Sequence, residues 1–123
     1  SDLQQEVTMS VSLTAYKGRR FDPFESKMVF DYPVSFQNIY DDLWEKAISD
    51  CKIELFKACT MFTNDNIPQV LDELDLIYKW AVENGGENSN YMSDRIMLLK
   101  GLLIGFLYGL EGRELQEYWF DIG

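Results

Sequence analysis

From Val7 to Ala15 the chain alternates without a break. Val7, Met9, Val11, Leu13 and Ala15 point one way, and Thr8, Ser10, Ser12 and Thr14 the other. A period of two in a segment rich in β-branched residues predicts a half-buried strand over residues 6–16. A chain that opens in this way is not an all-helical bundle. Lys17-Gly18-Arg19-Arg20 reads as a turn that Asp22-Pro23 extends. The apolar, β-prone run from Lys27 to Tyr32 predicts a second strand ending at Pro33. The link is too short for a crossover, so the two strands are expected to pair antiparallel.

The period then lengthens to about 3.6. Phe36, Ile39, Tyr40, Leu43, Trp44, Ala47 and Ile48 predict a helix with Ser35 as its N-cap. Ser49-Asp50 interrupts it or caps another helix, whose stripe is Ile53, Phe56, Cys59 and Phe62. After a polar loop at Thr63–Asn66, a loose capping box of Asn66 with Gln69, and Pro68 in the first turn, start the next helix. That helix runs to about Glu83, before Gly85-Gly86. A last helix from about Ser93 to Leu110 is capped by Ser93 or Asn90. The tail Leu115–Ile122 reads as a strand or an extended packing arm.

This order predicts one α+β domain over residues 1–123. A small N-terminal antiparallel sheet packs on three to four helices, one of them central and apolar. Residues 1–8 read as an unordered or vector-derived lead-in. Ile96–Leu110, broken only by Lys100, is too short to span a bilayer. Its apolar side chains surround the helix, which predicts burial at the centre of the domain. Gly101, Gly105 and Gly109 share one face there. Each costs about 1 kcal/mol relative to alanine, so tight packing against a neighbouring element is the expected use, with homodimer packing as the other reading.

The chain has 21 acidic and 11 basic residues, a net charge of −10, and no histidine. That balance opposes direct nucleic-acid binding. The missing histidines remove the commonest general base and metal ligand. No phosphate loop, nucleophile elbow or Asp-x-Asp-x-Asp run occurs. We therefore expect no catalytic residues, metal or cofactor, and no enzyme. On one helix Cys51 and Cys59, eight apart, would lie about 12 Å from each other, too far to pair unless the chain breaks between them. Both read as buried and reduced, which leans to the cytoplasm.

Residues 41–123 hold sixteen of the acids and seven of the bases. Asp41, Asp42 and Glu45 lie on the outer side of the first helix. On the helix over Ile67–Glu83, the core face is Ile67, Val70, Leu71, Leu74, Ile77, Tyr78 and Ala81. Asp72, Leu76, Lys79, Trp80 and Glu83 lie opposite, with Glu73 at the edge and Asp75 nearby. An aromatic and a leucine among acids match an interface anchor with a charged rim. The expected partner-binding residues are thus Asp41, Asp42, Glu45, Asp72, Glu73, Asp75, Leu76, Trp80 and Glu83. An ordinary solvated face is the plainer reading of such acids.

In size, charge and organisation the chain resembles the bacterial immunity proteins of contact-dependent growth inhibition and related polymorphic toxin systems. The resemblance spans the chain and rests on no motif. It implies binding to a basic toxin domain, such as a nuclease, whose active site the chain covers as a heterodimer, away from membranes; alone, a chain at −10 with an internal glycine helix is expected to be a monomer at micromolar concentration. A secretion chaperone or adaptor, using the glycine series to dimerise, is one alternative. A nucleic-acid mimic that inhibits a DNA-binding protein is another.

Overall fold

The computed structural model describes residues 10–110 and 118–123. Among them are four strands, β1 (Ser10–Gly18), β2 (Ser26–Phe36), β3 (Thr60–Thr63) and β4 (Tyr118–Ile122). They form one sheet in the order β2-β1-β4-β3, and every neighbouring pair is antiparallel. Helix α1 is a continuous run of an α-turn (Gln37–Ile39), a π-helical turn (Tyr40–Trp44) and an α-helical stretch (Glu45–Asp50). Helices α2 (Ile67–Asn84) and α3 (Ser89–Leu110) follow. The class is α+β, as the change of period predicts. The sheet draws its inner strand β4 from the C-terminus, which resolves the tail as a strand over its described part; residues 115–117 lie outside the described residues, as do residues 6–9 of the first predicted strand.

Alternation places Val11, Leu13 and Ala15 of β1 beneath the helices, all buried. Phe120 and Ile122 of β4 and Phe62 of β3 join them, and Phe62 stacks on Phe120 with centroids 5.0 Å apart. Tyr40, Trp44 and Ala47 of α1, five apolar residues of α2, and Met92, Ile96, Leu99 and Leu103 of α3 close the core from above. On the opposite sheet face Trp119 is also buried. It stacks on Tyr16 at 4.3 Å, meets Phe21 edge-on and donates its indole N–H to Ser26 Oγ at 3.0 Å.

Several boundaries differ from the sequence reading, each for a local reason. β2 continues through Pro33 to Phe36 because it is an edge strand, where a residue without an N–H is tolerated. The outer edge there is taken up by α3. Arg95 donates to the carbonyls of Pro33 and Val34, and Phe36 N–H donates to Tyr91 Oη at 3.2 Å. Ser35 is accordingly in the strand rather than an N-cap, and α1 begins without a side-chain cap. Before α2 the capping box belongs to Thr63 and Asn66, not Asn66 and Gln69: Thr63 N–H donates to Asn66 Oδ1 at 3.0 Å. α3 begins at Ser89, earlier than Ser93 or Asn90, because a 3₁₀ turn over Gly86–Asn88 feeds it directly. Gly85 makes the α2–α3 corner possible. A Cβ there would lie 2.6 Å from Ala81 O and 2.8 Å from Ser89 Cα.

Two larger corrections concern Ile53–Phe62 and α3. No helix runs through Ile53, Phe56 and Cys59. Lys52 (φ 56°) and Cys59 (φ 66°) take left-handed backbone conformations, and the chain between them is irregular before it enters β3. Cys59 is exposed and Cys51 half-buried, so neither is the fully buried residue that the stripe predicts; both thiols are free. α3 buries only one side. Met97, Leu98, Gly101, Ile104, Gly105 and Tyr108 are exposed.

Candidate functional site

α2 forms because Pro68 sits in its first turn, the box of Thr63 and Asn66 leads into it, and its apolar residues recur at helical spacing. That spacing fixes which side chains face out. Asp72, Asp75, Leu76, Lys79 and Glu83 are exposed, as expected, and Leu76 keeps 49% of its surface in water. Asp72 and Glu83 flank Leu76 by one turn and just under two turns. Among the described residues neither pairs with a cation. Asp75 is bound to Lys100 of α3 and is thereby partly neutralised.

Trp80 is half-buried, not fully outward. Its ring packs against the core, and its Nε1–H donates to Asp50 Oδ2 at 2.8 Å. The bond joins the end of α1 to α2 and adds Asp50, which the sequence marks only as a helix break or cap, to the acidic surface around Leu76. Asp50 is itself exposed.

Glu73 is not a rim residue. It is 6% exposed and lies beneath the irregular segment after α1. Its Oε2 accepts the N–H of Glu54 at 2.9 Å, Leu55 N–H lies 3.2 and 3.3 Å from its two oxygens, and its Oε1 accepts the N–H of Phe56 at 2.9 Å. Three successive backbone donors converging on one carboxylate make an anion nest that the chain fills with its own side chain. This contact replaces the expected helix over that segment. It removes Glu73 from the partner-binding set, since its oxygens are already committed.

The other predicted patch is separate. Asp41 and Asp42 lie in the π-helical turn of α1, where Glu45 N–H bonds to Tyr40 O five residues back. Asp41 accepts from Gln37 Nε2 at 2.9 Å, and Asp42 and Glu45 are exposed. Eight residues, about 12 Å of helix, separate Asp42 from Asp50. Glu45 also lines a hollow of about 280 Å³ with Tyr40, Ile48, Ser49, Lys57 and Ala58. Burial, offset in part by the N–H donated from Ala58 to its oxygen at 2.7 Å, pushes the Tyr40 phenol up from its ordinary value, with Glu45 adding to the shift.

The acidic surface therefore has a half-exposed leucine at its centre, a tryptophan fixed at its edge and carboxylates around it, of which Asp75 is paired with Lys100. Among the described residues no cluster of Cys, Asp and Glu could hold a metal ion, and no helix is long and apolar enough to cross a membrane. No family model matches the chain, and neither the curated proteins nor the solved structures contain a match to it.

Proposed function

We propose that the domain binds and neutralises a basic protein, as a cognate immunity protein does, through the outer face of α2 and the adjoining end of α1. The observation that carries this reading is Leu76, half exposed between Asp72 and Glu83 and beside the Trp80–Asp50 pair. Apolar area at the centre of a surface is what an interface desolvates, and unpaired carboxylates at its rim steer a cationic partner and set its orientation. Asp41, Asp42 and Glu45 extend the same negative field along α1.

The partner is a basic toxin domain whose substrate site is itself cationic, as in a nuclease, and covering that site blocks it. The test is association with a basic protein encoded by a neighbouring open reading frame. Its on-rate should fall steeply with salt and its off-rate much less. A second reading, a secretion chaperone or adaptor, is favoured by the exposed apolar side of α3.

A further inference from the structure

The exposed side of α3 is the largest feature that the acidic surface leaves unexplained. Met97, Gly101, Ile104, Gly105 and Tyr108 fall within about 100° of arc, with Leu98 at the edge. Tyr108 is 72% exposed and Met97 58%. Among the described residues a Cβ added at Gly101 or Gly105 would meet no atom within 4 Å, so the packing of these residues does not call for glycine at either position. Among the described residues the tight internal contact expected of this glycine face is absent at Gly101 and Gly105. What remains is a groove floored by helix backbone beside a ridge of large apolar side chains.

We infer that this face docks a second copy of the chain, α3 against α3, about a two-fold axis. Charge singles out the occupant. Between Ile96 and Leu110 the helix carries no carboxylate, and its one charged residue, Lys100, is held by Asp75 of the same chain. Two copies at −10 each repel over most approaches. Over the stripe from Met97 to Tyr108 they meet without opposing carboxylates, the exposed Asp94 lying one turn before it, whereas a basic partner finds no counter-charge on that stripe. The surface is also self-complementary, as a two-fold contact requires. An antiparallel crossing centred between Gly101 and Gly105 sets each copy's Gly101 against the other's Gly105. The backbones then approach closely, and Met97 of one copy reaches the Tyr108 end of the other.

The contact is small. A helical stripe about 18 Å long and about 10 Å wide hides on the order of 400 Å² per copy, about half of the share that a standard interface takes from each partner. The dimer is therefore a transient one that forms at tens to hundreds of micromolar.

Sedimentation velocity under reducing conditions, which excludes disulfides through exposed Cys59, tests this from about 5 to about 500 µM, the range in which so small an interface would titrate. The mass should rise from 14.4 kDa toward twice that value. Raising salt should strengthen the dimer by screening the repulsion. The same change weakens the proposed capture of a basic partner, so the two readings fail independently. Gly101→Leu with Gly105→Leu should raise the melting temperature, because leucine favours an exposed helix more than glycine does, yet weaken the dimer at least about tenfold by filling the groove. A chain that stays monomeric throughout, a dimer that survives the double substitution, or a monomer that instead partitions onto phosphatidylcholine vesicles through this face would overturn the inference.

Discussion

Trp80 donates its indole N–H to Asp50 Oδ2 across 2.8 Å and so braces α2 against the end of α1. The ring also packs on the core, which makes Trp80 a strut as well as a surface residue. Trp80→Phe keeps the packing and loses the bond, and because Asp50 is exposed the cost should stay below about 1 kcal/mol. Trp80→Ala should cost about 2–3 kcal/mol, somewhat less than a fully buried aromatic. Urea denaturation of the two variants separates these contributions.

The nest around Glu73 should matter more than its single position suggests. Glu73→Gln keeps the shape but sets an amide –NH₂ against backbone donors, and the charge-assisted bonds to residues 54–56 are lost. Such bonds contribute about 1.5–3 kcal/mol each in context and are not additive. We expect a loss of at least about 2 kcal/mol, with hydrogen exchange accelerating first at Glu54, Leu55 and Phe56.

The two thiols should react at different rates. Cys59 is exposed on a left-handed backbone, whereas Cys51 is half-buried and its Sγ lies 3.7 Å from Leu76 O. Burial, with Asp50 adding to it, pushes the Cys51 thiol above its ordinary value, which lowers its thiolate fraction near neutral pH. Alkylation followed by mass spectrometry should label Cys59 at least about tenfold faster than Cys51. Equal rates would contradict the placement of the 51–59 segment.

Tyr40 gives an alkaline limit to stability. Its folded phenol titrates above the ordinary value of 10.0, so the folded state holds the proton where the unfolded state releases it. The stabilisation is complete below pH 10 and is lost as pH rises through the folded value. Thermal stability should fall above about pH 10, and Tyr40→Phe should flatten that fall while also removing the acceptor of Ala58 N–H.

The α+β class, the β1–β2 hairpin and the existence of α2 and α3 were legible because they depend on local periodicity. Val11, Leu13 and Ala15, or Ile67, Val70 and Leu74, declare their faces without help from distant residues. The segment after α1 was not legible. Ile53, Phe56, Cys59 and Phe62 are spaced as on a helix, yet the structure there is set by a carboxylate 17 residues or more away. An acid at the edge of the apolar stripe is all that the sequence shows at Glu73, and it reads equally well as a rim charge. α3 misled for the opposite reason: apolar residues all round predict burial, but hydropathy does not say what covers them. Among the site residues, Asp72, Leu76 and Glu83 lie where their helical phase predicts, while the Trp80–Asp50 bond depends on how two helices dock.

The binding claim is tested most directly by Leu76→Ala beside a charge reversal of Asp72 and Glu83 to lysine, in stopped-flow association with the basic partner at several salt concentrations. All three side chains are exposed, so the folded domain and its melting temperature should change little. Leu76→Ala should raise the off-rate by roughly tenfold or more, as expected for a central anchor, with the on-rate nearly unchanged. The double reversal should slow association and flatten its salt dependence. Unchanged off-rate and on-rate in both variants, with the complex still forming, would place the partner elsewhere on the molecule and contradict the account.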